Sequence, residues 1–141
     1  MNTFGGKNYW TLILGGSSGI GLATARKMAL EGMNLILVYR ERRSREEEVK
    51  REFEELASRG IQIMHFNADA TNHEKIEEMV AAIEDQIGEG KIKVLLHSIA
   101  KGNLKTMVEP PEGLNVEYPS NKLGSSDFTL TTDNMAFSIV P

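Results

Sequence analysis

One turn restricts the fold of this chain more than any other feature. Thr11-Leu12-Ile13-Leu14 is a short, largely apolar run closed by Gly15-Gly16-Ser17-Ser18-Gly19-Ile20-Gly21. Such a run, bounded by glycine, reads as a strand buried on both faces. Ile20 to Glu31 follows with helix formers, and Gly32 stops it at the position after the C-cap. Strand, glycine-rich turn and helix together open a βαβ unit. A glycine at the strand end permits a tight turn. The next ones let the backbone approach a pyrophosphate and let the helix pack on the sheet, while the helix N-terminus presents unpaired N–H groups and a positive dipole end. Ser17 and Ser18 add hydroxyl donors. An ordinary turn can also be rich in glycine; the placement between strand and helix is what points to a dinucleotide.

The pattern then repeats. Leu35-Ile36-Leu37-Val38-Tyr39 is a second buried strand. Ser44 to Arg59 is a charged helix with Val49, Phe53 and Leu56 on one face, supported by the Glu46/Lys50 and Glu47/Arg51 spacings. Ile61 to Phe66 alternates enough for a strand nearer an edge. Thr71 or Asn72 caps a helix running to Ile87, with Ile76, Met79, Val80, Ile83 and Ile87 as its inner stripe. Ile92 to Ile99, around Val94-Leu95-Leu96, is a fourth buried strand. The order β-α-β-α-β-α-β implies a Rossmann-type, doubly wound parallel sheet with right-handed crossovers, in one domain over residues 1–141. Lys101 to Ser126, with Gly102, Pro110, Pro111, Gly113, Pro119 and Gly124, reads as a long loop beside the active-site end. Ser126 could cap a further helix from Asp127.

Composition closes off other classes. The chain has 141 residues, no Cys, and 16 Lys plus Arg against 20 Asp plus Glu. Without Cys there is no disulfide scaffold, Cys-based metal site or thiol nucleophile. His65 and His73 lack metal-ligand spacing, and no metal site is expected. No apolar run approaches a membrane span, and the mild acidity argues against nucleic acid as a partner. A cytoplasmic protein with a small-molecule or acyl-carrier substrate is expected.

The second strand bears on the coenzyme. In NAD-binding units an acidic residue at its end holds the ribose 2′-OH. Here Val38-Tyr39-Arg40 ends the strand, and Arg42, Arg43 and Arg45 follow, with Glu41 the only acid among them. Arg pairs bidentately with phosphate, which favours NADP(H) over NAD(H). The same arginines also suit the solvated start of a charged helix.

These residues resemble the short-chain dehydrogenase/reductase family. Gly15, Gly19 and Gly21 meet its Gly-x-x-x-Gly-x-Gly pattern, and Asp69 in Asn67-Ala68-Asp69-Ala70 meets its Asp after the third strand. The resemblance implies the strand order 3-2-1-4, contact of Asp69 with the adenine amino group, and a cofactor-binding set completed by Ile20, Tyr39, Ala70, Ser98, Ile99 and Ala100. His97-Ser98-Ile99-Ala100, and the stretch from Asp127 to Ser138, are similar to the branch containing enoyl-acyl-carrier-protein reductases. An NADP(H)-dependent reduction of a carbonyl or enoyl thioester is therefore implied, in a homo-oligomer. A sugar or alcohol dehydrogenase of the same family, and a non-catalytic dinucleotide-binding module, are the alternatives.

The family's Tyr and Lys pair sits on a helix after a fifth strand, and the resemblance implies that this chain ends before it. No catalytic residue is assigned, and the chain alone is expected to be inactive. Tyr118 and Lys122 have the right spacing, but Pro119 and Gly124 argue against a helix there. Without later strands, Val94-Leu95-Leu96 would lie on an uncovered edge, in conflict with its apolar pattern.

Overall fold

A computed structural model describes residues 2–99 and 112–113. Residues 1–98 group as one compact unit and 99–141 as another; the elements below belong to the first. They are β1 (Tyr9–Leu14), α1 (Gly19–Leu30), β2 (Asn34–Tyr39), α2 (Arg43–Ala57), β3 (Ile63–Asn67), α3 (His73–Ile87) and β4 (Lys91–His97).

The strands form a parallel four-stranded sheet in the order β3-β2-β1-β4. Parallel neighbours need a crossover, and each helix supplies one. Side chains alternate across β2, so one face carries Leu35, Leu37 and Tyr39. These pack with Ile13 of β1 and with Leu22, Ala25, Val49, Phe53 and Leu56 of α1 and α2. The other face carries Ile36, with Trp10, Met64 and Ile83 of α3. The Trp10 ring is buried, and its indole N–H donates to Asn8 Oδ1 at 3.0 Å.

Helix ends follow local chemistry. Gly32, with φ 85°, ends α1: its N–H bonds Ala29 O at 3.0 Å and Met33 N–H bonds Met28 O at 3.0 Å. This double bond satisfies carbonyls that the helix leaves open. Asn72, not Thr71, caps α3, accepting from Lys75 N–H at 3.2 Å.

Some expectations change. α2 begins at Arg43 and ends at Ala57, and β3 begins at Ile63. Glu46 pairs with Lys50 at 3.4 Å, whereas among the described residues no ion pair joins Glu47 to Arg51. In α3 only Met79 and Ile83 are buried; Ile76 and Val80 are exposed. β4 is apolar in sequence but mostly exposed, with Leu95 at 65%. Ser98 and Ile99 follow β4 rather than lying in it. No helix among the described residues is long and apolar enough to cross a membrane.

Candidate dinucleotide-binding site

The carboxyl ends of β1, β2 and β3 meet at one edge of the sheet, and the turn from β1 to α1 forms its centre. Gly15 and Gly16 donate N–H bonds to Val38 O at 2.8 and 3.1 Å, which folds the turn against β2. Gly15 has φ 92° and Gly19 has φ 54°, values that disfavour any residue with a Cβ. Gly21 is glycine for another reason. A Cβ there would collide with the Gly15 carbonyl, so α1 could not start so close to β1. At Gly19 a Cβ would meet no atom of the described residues within 4 Å beyond its chain neighbours and its own helix, so the described residues leave space over the helix start.

The first intrahelical bond runs from Leu22 N–H to Ser18 O at 3.1 Å. The amides of Gly19, Ile20 and Gly21 precede it, and the Ser18 side chain does not cap them. Uncapped amides at a helix start, approached over glycine, suit an anion. Ile20 beside them is 73% exposed. Ser98 N–H donates to Leu14 O at 2.8 Å, which brings the exit of β4 to the same turn.

The adjoining crevice is lined by charge. Arg40 Nη1 stands 3.3 Å from Asp69 Oδ2. The sequence reading gave these residues to opposite parts of the adenosine, and here they pair with each other. Asp69 Oδ1 also accepts from Thr71 N–H and Oγ1 at 2.9 and 2.6 Å, fixing the turn through Ala70 into α3.

Two assignments shift. The Tyr39 side chain enters the core, not the crevice. Its ring meets Phe53 edge-on at 5.4 Å between centroids, and its hydroxyl lies 3.2 Å from His65 Nδ1. Burial, followed by nearby Glu46 and Glu41, raises the Tyr39 pKa above its usual value, whereas burial first and Lys50 second lower that of His65. Ser17 is nearly buried, and its hydroxyl donates to Glu41 Oε1 at 3.0 Å, so its proton is already committed.

Glu41 is the residue that sequence reasoning passed over. It was noted only as the one acid among the arginines, yet its side chain is 13% exposed, against 72% for Arg40. A signal existed: Glu41 lies just beyond β2 and Asn67 ends the adjacent parallel strand. The two sit side by side, with Glu41 N–H donating to Asn67 Oδ1 at 3.0 Å and Asn67 Nδ2 donating to Glu41 O at 3.2 Å.

His97 is exposed. Among the described residues no cluster of three or more His, Cys, Asp or Glu could hold a metal ion. Ala100, Lys101, Lys105, Tyr118, Lys122 and the stretch from Ser126 lie outside the described residues.

Residues 9–113 match a model of the short chain dehydrogenase family. The chain is 28% identical over 105 residues to the 3-oxoacyl-(acyl-carrier-protein) reductase FabG of Staphylococcus epidermidis, covering 74% of this chain and 42% of that one. It is 32% identical over 95 residues to the 7beta-hydroxysteroid dehydrogenase of Clostridium sardiniense, covering 67% and 35%. Among solved structures, a short-chain dehydrogenase from Oenococcus oeni PSU-1 is similar at TM-score 0.58 and 26% identity, over 73% of this chain and 45% of that one. The chain spans less than half the length of each of these relatives.

Proposed function

The chain belongs to the short-chain dehydrogenase family, and we propose that it binds the coenzyme of an NADP(H)-dependent reductase acting on a carbonyl or enoyl thioester. The observation that carries this reading is the uncapped start of α1 under an open glycine turn. The amides of Gly19, Ile20 and Gly21 would hold the diphosphate, and exposed Ile20 would be covered by the coenzyme. Asp69 would face the adenine from the turn before α3. Arg40, exposed at the rim, would take the 2′-phosphate, exchanging its single bond to Asp69 for a doubly charged partner. When bound, such a coenzyme supplies a hydride. The amides at the start of α1 would keep the diphosphate on fixed donors, which costs no rearrangement there when it binds.

The carbonyl form of the substrate is supported by the name of the Staphylococcus relative. The enoyl form rests on the resemblance of His97-Ser98-Ile99-Ala100 and of the stretch from Asp127 to Ser138. A second reading, an alcohol dehydrogenase of the same family, is favoured by the likeness to the hydroxysteroid enzyme.

Calorimetric titration tests the coenzyme. The protein should bind NADPH, and Arg40→Ala should weaken NADPH about tenfold or more while leaving NADH nearly unchanged, as expected on losing a charge-assisted bond. Equal losses for both would remove Arg40 from the 2′-phosphate.

A further inference from the structure

Where β2 and β3 end, their backbones exchange one further bond, Ala68 N–H to Tyr39 O at 2.8 Å. Beyond it a side chain takes over. The Asn67 carboxamide accepts from Glu41 N–H at 3.0 Å and donates to Glu41 O at 3.2 Å. A primary amide carries both an acceptor and donors, so this one residue binds the next stretch of chain as a strand would. The Glu41 backbone is thereby fixed on β3.

The Glu41 side chain reaches the other way, to the turn after β1, where it accepts the Ser17 hydroxyl at 3.0 Å. Asn67, Glu41 and Ser17 thus join the exits of three adjacent strands. The turn after β1 gains most from such a strap. Gly15, Gly16 and Gly19 give it a wide choice of backbone shapes. The N–H groups of Gly15 and Gly16 hold its first two residues on Val38 O, and Ser17, nearly buried, is held next through its side chain. After Ser17 come the uncapped amides at the start of α1. A turn ordered before its ligand arrives loses less freedom on binding.

We infer, on the dinucleotide reading above, that Asn67 is a positioning residue for the coenzyme, holding the glycine turn in its binding shape through Glu41 and Ser17. The group served is the diphosphate, which both nicotinamide coenzymes carry. Asn67 therefore supports affinity for NADPH and NADH alike and plays no part in the choice between them.

The test is a double-mutant cycle, read by calorimetric titration with NADPH and with NADH. It uses the unaltered chain, Asn67→Ala, Ser17→Ala and the double variant. Each single change should weaken both coenzymes by the same factor, about fivefold, as for one lost hydrogen bond. The double variant should lose little more than either single one, because both cut the same strap. Amide hydrogen exchange of the free Asn67→Ala protein should quicken at Gly15 and Gly16 and stay unchanged at Ile13 and Leu37. Losses that multiply in the double variant, or exchange raised evenly over the sheet, would make Asn67 an ordinary structural contact and overturn the inference. A loss confined to NADPH would overturn it too, by moving the effect of Asn67 to the 2′-phosphate. Each of these results leaves the dinucleotide reading intact. Binding of neither coenzyme by the unaltered chain would overturn that reading, and this inference with it. If Asn67→Ala fails to fold, Asn67→Leu, which keeps the bulk and removes both bonds, takes its place in the cycle.

Discussion

At the carboxyl ends of the strands, the start of α1 presents amides that no side chain caps. At the amino ends, polar groups are closed on one another. Phe4 N–H bonds Glu31 O at 2.8 Å, Thr3 Oγ1 donates to Glu31 at 2.7 Å, Trp10 donates to Asn8, and Gln62 N–H donates to Asn34 Oδ1 at 2.9 Å. Yet a cavity of about 600 Å³ lies at this closed end, lined by Asn2, Gly32, Asn34, Arg59 and Gln62 among others. Hollow shape and binding chemistry therefore separate in this molecule. What marks the candidate site is the supply of unspent donors, not the depth of the surface.

Paired glycine substitutions give the largest expected contrast. Gly21→Ala would drive a Cβ into the Gly15 carbonyl. It should cost about 2 kcal/mol of stability by overpacking and abolish measurable coenzyme binding. Gly32→Ala, at the other end, places a Cβ against the Asn2 side chain and the Gly5 backbone at φ 85°. It should also cost about 2 kcal/mol, through overpacking and backbone strain, but leave coenzyme affinity unchanged. Urea unfolding and titration of each variant measure both quantities. Loss of binding in Gly32→Ala as well would mean that the two ends are not independent.

The smallest effect belongs to Glu31. Its bonds from Lys27 first, and Thr3 second, lower its pKa to about 2 from a usual 4.5. A depressed carboxylate contributes stability that is present above 4.5 and lost as the pH falls through about 2. Glu31→Gln should therefore lower the unfolding midpoint slightly at pH 7, and the difference should close as the pH falls toward 2. A difference that stayed constant across that range would show that the pair contributes nothing through its charge.

The glycine turn was legible in sequence because its requirements are local. Positive φ at Gly15 and Gly19 and the close start of α1 depend on a few adjacent residues. The order of elements was legible because buried parallel strands are apolar runs and the helices carry stripes. Tyr39 was given to the coenzyme by resemblance although it ends a strand buried on both faces, where its side chain packs with Leu37 and Phe53 in the core. The α3 stripe was drawn too wide, since periodicity gives a face but not how much sheet that face meets; Ile76 and Val80 lie beyond it. Glu41 was hidden because a place among exposed arginines does not say which way its side chain turns. Its inward turn is set by Asn67, 26 positions away in the chain and adjacent only once β2 and β3 pair.

The most direct measurement is amide chemical shifts of the protein titrated with NADPH. The account predicts that the largest changes fall on Gly19, Ile20 and Gly21, saturating together with changes at Arg40. Changes confined to the opposite end, around Asn34 and Gln62, or no change at all, would contradict it.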